Sequence, residues 1–331
     1  MNYSLFSLHR WKPLDDPEFG LLYTLSESIR SVEAQHPDWF PDLRQSSTML
    51  IVSDYSGQQP QARYESLSFL FADPTSFNDW ILQRESLRRI YLPDGRRISY
   101  KTLNDRKRKR ALMPFLAAAN SITGLIVTIL VSKKIESLFE PTGKLDTSQP
   151  GYEKYAHWDR NVLEKLLRIV NFAALFIAGL SKPHQNLFWI TDEDDIVANA
   201  GRLREAVDLF AHISSAYIKH QMGHFRWGTT QLDKGSKRVE DLASIPDVVA
   251  GSLSQVLTTY YQGGTMPKVT GLMVPPPSNL SYKDAEIMNW FADQTQPLKR
   301  LVYVIEQIEG TTKLNVKNLW FHGLADYQGA G

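Results

Sequence analysis

The chain has 331 residues, a formal net charge of +1, 43% hydrophobic residues and no cysteine. This composition is typical of a globular protein, and it excludes a disulfide scaffold, a thiolate metal site and a cysteine nucleophile. The length allows about two domains or one large core that carries additions at its ends, and we favour the single core. The first twelve residues lack the features of a secretory signal, so we expect a cytoplasmic protein.

Hydrophobic patterns and turn signals predict the elements of the first hundred residues in chain order. A helix is expected first, then two strands joined as a hairpin, then a second helix and a short third strand. The predicted bounds are residues 19–34 for the first helix, 48–53 and 64–72 for the hairpin, 76–90 for the second helix and 97–100 for the third strand.

Residues 111–131 carry no charge and are long enough to span a bilayer. Pro114, Asn120 and Gly124 interrupt the segment, and its character changes from helix formers to a β-branched run. We therefore predict a helix that is followed by a buried strand at residues 122–131. A membrane anchor through this segment is the less favoured alternative.

The hydrophobic pattern in the rest of the chain predicts mainly helices. The expected elements are a helix at 155–180, a strand at 186–191, helices from 192 to about 221 and at 246–261, a further helix at 282–293, and a hairpin of 301–308 with 314–321. This order indicates an α/β fold with a mixed, partly parallel sheet. We divide the chain into a helical lead-in (1–46), a core (47–264) and a C-terminal addition (265–331).

Acidic residues stand where the apolar strands end. The sequence contains no glycine-rich phosphate loop and no Gly-x-Ser-x-Gly motif. Instead, Asp54 closes the first strand, Asp192 closes a later strand and Asp247 follows Pro246. The functional crevice of an open α/β sheet lies outside the carboxyl ends of its strands, so Asp54 and Asp192 should meet there if their strands are neighbours.

Each of these aspartates also has an ordinary structural interpretation. Asp54 is compatible with a turn in which it bonds to its own backbone. Asp192 is compatible with the acidic start of a helix, and Asp247 with a helix that begins after a proline. These interpretations predict carboxylates that point apart into solvent, because acids brought together without a cation repel one another.

Three blocks of sequence taken together resemble the signature blocks of the DUF3800 family. They are Val52-Ser53-Asp54-Tyr55-Ser56-Gly57, Trp189-Ile190-Thr191-Asp192-Glu193, and the stretch 242–251 that contains Asp247. In that family the first block usually reads Asp-Glu-Ser-Gly and the last reads Gln-x-Ala-Asp-Leu. Tyr55, Ser244 and Pro246 depart from this pattern, whereas the aspartates match at all three places. The resemblance covers residues 48–262.

The resemblance implies a ribonuclease H-like mixed sheet flanked by helices, with N- and C-terminal additions. It also implies a nuclease that uses Mg²⁺ or Mn²⁺ to hydrolyse phosphodiester bonds of DNA or RNA by a two-metal mechanism, which suits prokaryotic defence or a mobile element. The implied catalytic residues are Asp54, Asp192 and Asp247, and the implied metal ligands are Asp54, Asp192, Glu193, Asp194 and Asp247. The alternative is a catalytically decayed binding or scaffold protein on the same fold, which Tyr55 favours.

A basic stretch lies within residues 84–110, where eleven basic residues outnumber three acidic ones. Such an excess suits the backbone of a polyanion, although a solvated helix start is the ordinary interpretation. The candidate nucleic-acid-binding residues are Arg88, Arg89, Arg106, Lys107, Arg108, Lys109 and Arg110. We expect nucleic acid as the main partner, and a homodimer or partner protein at the C-terminal addition.

Overall fold

The structure, a computed structural model, describes residues 9–139, 153–264, 272–274 and 279–321. The helices in these ranges are α1 (Leu21–Gln35), α2 (Phe77–Tyr91), α3 (Arg106–Ala119), α4 (Arg160–Leu180), α5 (Ala200–Tyr217), α6 (Arg238–Gln262) and α7 (Tyr282–Ala292). The strands are β1 (Thr48–Ser56), β2 (Tyr64–Ala72), β3 (Gly124–Ser132), β4 (Asn186–Thr191), β5 (Phe225–Thr229), β6 (Leu272–Val274), β7 (Leu298–Gln307) and β8 (Leu314–Phe321).

These strands form one mixed sheet in the order β5-β4-β1-β2-β3-β7-β8-β6. β1, β2 and β3 are antiparallel neighbours, whereas β4 lies parallel to β1 and β5 lies parallel to β4. The C-terminal hairpin extends the same sheet, because β7 pairs in parallel with β3 and antiparallel with β8. The prediction of an α/β fold with a mixed sheet is confirmed. The parallel strands β1, β4 and β5 direct their carboxyl ends to one edge.

Helices cover both faces of the sheet. α1, α4 and α5 pack on one face, and α2, α3, α6 and α7 pack on the other. Neighbouring residues of β1 alternate between the layers: Met49 and Ile51 join the α4 side, whereas Leu50 and Val52 join the α6 side. The position of a residue along a strand therefore decides which layer its side chain meets.

The uncharged segment 111–131 forms part of a helix and then a strand, as predicted. Asp105 caps α3 by accepting the backbone N–H groups of Lys107 and Arg108. β3 then runs through the middle of the sheet with all of its residues buried. No helix within the described ranges is long and apolar enough to cross a membrane.

Three predicted elements differ from the structure around the strand ends. Residues 97–100 are not a strand but an extended loop that ends in a single 3-10 turn. The helix expected directly after β4 begins only at Ala200, where the side chain of Asn199 caps it. α6 begins at Arg238, well before the expected start, because Pro246 is accommodated inside the helix.

Candidate functional site

The carboxyl ends of β1 and β4 bring two of the predicted aspartates together. In the parallel pairing of these strands, Ser53 lies opposite Thr191, so Asp54 and Asp192 follow at the next level. Asp54 remains paired with Ser68 of β2 and lies on the same side of β1 as Val52, towards α6. Both aspartates line one pocket of about 440 Å³. The turn interpretation of Asp54 is therefore wrong.

Asp247 reaches the same pocket from α6, which packs across β1 and β2. It lies inside the helix, so its interpretation as a helix start is wrong. Asp192 likewise lies outside α5 and does not begin a helix. The structure thus brings Asp54, Asp192 and Asp247 together from two strands and a helix.

Residues 96–102, which we call the Arg97 loop, form a wall of this pocket. Ser244 of α6 donates a hydrogen bond to the carbonyl of Ile98 (2.6 Å), and the Nε of Arg108 donates one to the carbonyl of Arg97 (2.6 Å). The ring of Tyr100 lies against Gly251, where an added Cβ would come within 2.2 Å of it. The loop is therefore fixed to both α6 and α3.

Arg97 forms an ion pair with Asp192, one of the three carboxylates. Its guanidinium lies 2.6 Å from Asp192, which also accepts hydrogen bonds from the hydroxyl of Thr230 (2.8 Å) and the N–H of Glu193 (3.0 Å). Burial opposes ionisation of Asp192, but the hydrogen bonds and charge of Arg97 outweigh it and lower the pKa of this carboxyl.

Asp54 and Asp247 have far fewer partners. The carboxylate of Asp247 accepts the backbone N–H of Tyr100 (2.8 Å), whereas no described residue donates a hydrogen bond to the carboxylate of Asp54 or forms an ion pair with it. Burial raises the pKa of Asp54 well above its usual range, and the charges of Asp247 and Asp192 raise it further. Burial likewise raises the pKa of Asp247 to about 6. Such shifts are typical of half-buried acids held close together, an arrangement that is common at functional sites.

The other two predicted metal ligands line the same pocket, but they differ in exposure and in their partners. Glu193 is exposed, and Asp194 pairs with Lys165 of α4 at 2.6 Å while it also accepts the N–H of Ile196 (3.0 Å). Across the described part of the chain, no three histidine, aspartate or glutamate side chains are arranged so that they could hold one metal ion. Joint binding of a cation by the three aspartates therefore requires their side chains to move.

Tyr55 stands where the resembled family has glutamate, but it belongs to the opposite side of β1 from Asp54. Its hydroxyl shares a hydrogen bond with the hydroxyl of Ser53 (2.7 Å), and its ring packs near Phe69 with the ammonium of Lys165 5.1 Å from the ring centre. The substitution therefore falls on the α4 side of the pocket, away from the side that carries the three aspartates.

The predicted nucleic-acid-binding residues divide into two groups. Arg88 and Arg108 have structural partners, since Arg88 pairs with the buried carboxylate of Asp241 at 2.6 Å and Arg108 binds the Arg97 loop. Both guanidinium groups therefore take part in contacts within the fold. The exposed members are Arg89, Arg106, Lys107, Lys109 and Arg110. Among these, Lys107 pairs with Asp94, and Lys109 lies over the ring of Tyr282.

Three cationic residues line the pocket although the sequence analysis did not predict them there. Arg97 and Lys101 belong to the basic stretch, but the predicted short strand gave no reason to place them beside the aspartates. Lys165 lies in the second turn of α4, and the strongly apolar face of this helix gave no reason to place a lysine in a pocket. The positive charge of the pocket itself therefore comes from residues outside the predicted set.

A scan against models of known protein families finds no match for this chain, and no curated protein matches it. The similarity of the three sequence blocks to DUF3800 thus stays a hypothesis, and function is inferred from the residues of the pocket.

Proposed function

We propose that the protein is a divalent-metal-dependent nuclease that hydrolyses phosphodiester bonds of DNA or RNA. The observation that carries this proposal is the convergence of Asp54, Asp192 and Asp247 in one pocket. The strand order β3-β2-β1-β4-β5, with β2 antiparallel to its neighbours, supports a ribonuclease H-like core within the larger sheet. The family resemblance supports the same assignment.

The donor atoms of the pocket fit Mg²⁺ or Mn²⁺ in kind. Both ions prefer oxygen ligands, and the aspartates supply only oxygen. The carboxylate of Asp54 accepts no hydrogen bond from the described residues, so its oxygens are available to a cation. Asp54 and Asp247 would hold the ion, and Asp192 would join them once Arg97 releases it. When bound, the ion would activate water and stabilise the leaving oxygen.

The chain's own cations provide the complementary surface for a phosphate backbone. Arg97, Lys101 and Lys165 line the pocket beside the acids. The first turn of α3 adjoins this wall, because Arg96 pairs with Asp105 at 3.0 Å. The exposed lysines and arginines of α3 therefore extend the positive charge away from the pocket, which favours the approach of a polyanion.

Cleavage assays test this proposal directly. Wild-type protein is incubated with labelled single- and double-stranded DNA and RNA in Mg²⁺, Mn²⁺ or EDTA, beside Asp247→Asn and a control, Asp208→Asn, that removes an exposed carboxylate on α5. We expect metal-dependent cleavage that Asp247→Asn abolishes and Asp208→Asn retains. Absence of cleavage together with absence of Mn²⁺ binding would overturn the proposal.

A second candidate function is nucleic-acid binding without catalysis, on a decayed active site. The ion pair of Arg97 with Asp192 favours it, because this arginine already neutralises one of the three acids. The same assay separates the two functions. A decayed protein retains oligonucleotide in EDTA as well as in Mg²⁺ and releases no cleaved product.

A further inference from the structure

We propose that Arg97 is the resident counter-ion of the acidic pocket, and that a divalent cation binds Asp192 only by displacing its guanidinium. The inference rests on the proposed metal-dependent function and adds to it a step in which Arg97 is displaced. In this account Arg97 is a positioning residue, because it sets the state of a metal ligand without taking part in the hydrolysis.

The contacts of Asp192 place a bound metal ion and the guanidinium of Arg97 in competition. One nitrogen of the Arg97 guanidinium lies 2.6 Å from Oδ2 and another lies 3.4 Å from Oδ1. Oδ1 also accepts hydrogen bonds from Thr230 and Glu193. A metal ion needs a direct bond to one of these carboxylate oxygens. The guanidinium and the metal therefore compete for the same atoms.

The side chain of Arg97 can leave while its backbone stays in place. The carbonyl of Arg97 is fixed by Arg108 and the following carbonyl by Ser244. The Nε of Arg97 is buried and has no hydrogen-bond partner in the described part of the chain. The guanidinium is thus incompletely satisfied, and Asp192 is the carboxylate that holds it. Displacement breaks this ion pair without moving the wall of the pocket.

The other cations of the pocket do not compete in this way. Lys165 pairs with Asp194 on the α4 side, and Lys101 is exposed and acts on Asp247 only through its charge. Removal of Lys101 changes the electrostatic field of the pocket but frees no ligand. Lys101→Gln is therefore the matched control for Arg97→Gln, since each variant removes one positive charge.

The test is isothermal titration calorimetry, in which Mn²⁺ is titrated into the wild type, Arg97→Gln and Lys101→Gln. We expect Arg97→Gln to bind Mn²⁺ at least about fivefold more tightly than the wild type, which is a typical size for coupling between competing ligands. Lys101→Gln should change the affinity by no more than about twofold, because the exposed charge is screened. A structural defect would weaken binding and cannot produce a gain.

The outcomes separate this inference from the proposed function. Equal Mn²⁺ affinity in the wild type and Arg97→Gln, or an equal gain in both variants, overturns the displacement of Arg97 and leaves metal binding intact. Absence of Mn²⁺ binding in all three proteins overturns the metal site itself.

A second measurement uses the wild type alone, in case Arg97→Gln fails to fold. The Nε signal of Arg97 in a ¹⁵N arginine NMR spectrum should shift on addition of Mg²⁺, and that of Arg88 should stay. An Arg97 signal that does not move in Mg²⁺-saturated protein overturns the inference.

Discussion

Two aspartates of α6 lie on the same face of the sheet and have opposite surroundings. Asp241, in the first turn, is 2% exposed and accepts hydrogen bonds from the Nε atoms of Arg84 and Arg88, both at 2.6 Å. Asp247, farther along, accepts one backbone N–H from Tyr100 and faces two more aspartates across the pocket.

The difference separates an acid whose charge the fold neutralises from one whose charge it leaves uncompensated. Around Asp241 the fold supplies two guanidinium groups for one carboxylate, which satisfies the charge and joins α2 to α6. Around Asp247 it supplies one directly bonded guanidinium for three carboxylates, and that one pairs with Asp192. The surplus of negative charge is what a hard cation requires, and no need of folding explains it.

Removal of Asp241 should have the largest effect on stability. Asp241→Asn leaves two buried guanidinium groups without their counter-ion, so we expect the free energy of unfolding to fall by about 3–5 kcal/mol. Urea denaturation in EDTA measures the loss. A loss below about 1 kcal/mol would remove the distinction between the two aspartates.

Asp247→Asn should act in the opposite direction. The pKa of Asp247 is raised from 3.8 to about 6, so between these pH values the folded state binds more protons than the unfolded state. The contribution of Asp247 to stability is therefore complete below about pH 4 and is lost as the pH rises through 6. The variant should be more stable than the wild type by about 1–3 kcal/mol at pH 8, with little difference at pH 4.

Denaturation of both proteins in EDTA at the two pH values provides this comparison. Asp208→Asn serves as the control, because its carboxylate is exposed and should give no such difference. Destabilisation by Asp247→Asn at pH 8 would show that the carboxylate, like that of Asp241, is structurally compensated.

Tyr55→Phe should have a smaller effect. It removes the hydrogen bond to Ser53, which still accepts one from the indole of Trp189 (2.8 Å), so the expected loss is about 0.5–1.5 kcal/mol. Because Tyr55 lies on the α4 side of β1, Mn²⁺ affinity should not change. A tenfold change in affinity would place this residue in the metal site.

The smallest expected effect concerns the basic stretch. Arg110→Gln removes an exposed charge and should weaken oligonucleotide binding a few-fold, with a salt dependence that falls by about one counter-ion. Arg88→Gln should leave oligonucleotide affinity unchanged and reduce stability, because Arg88 pairs with Asp241. Fluorescence anisotropy at several salt concentrations measures the affinities, and equal weakening by both variants would contradict this division.

The proximity of Asp54 and Asp192 could be predicted from the sequence. Their apolar strands are unambiguous, and the alternation of side chains along β1 places Asp54 on the same side as Val52. The sequence also indicated the helix and strand of the segment 111–131, because β-branched residues replace helix formers partway along it.

The position of the Arg97 loop could not be predicted from the sequence. Its short run of alternating residues resembles a strand. Its backbone carbonyls, however, accept hydrogen bonds from the side chains of Arg108 in α3 and of Ser244 in α6, which is remote in the sequence. The early start of α6 was hidden by Pro246, which usually marks a helix boundary and here lies in the interior. β5 and the three-residue β6 are too short for a clear periodic signal.

The central claim is that the three aspartates bind a divalent cation. Crystals of the wild-type protein grown in Mn²⁺ and measured at the manganese absorption edge test it most directly. We expect an anomalous peak within bonding distance of Asp54 and Asp247, with Arg97 turned away from Asp192. A pocket without an anomalous peak at saturating Mn²⁺, with the ion pair of Arg97 and Asp192 intact, would contradict it.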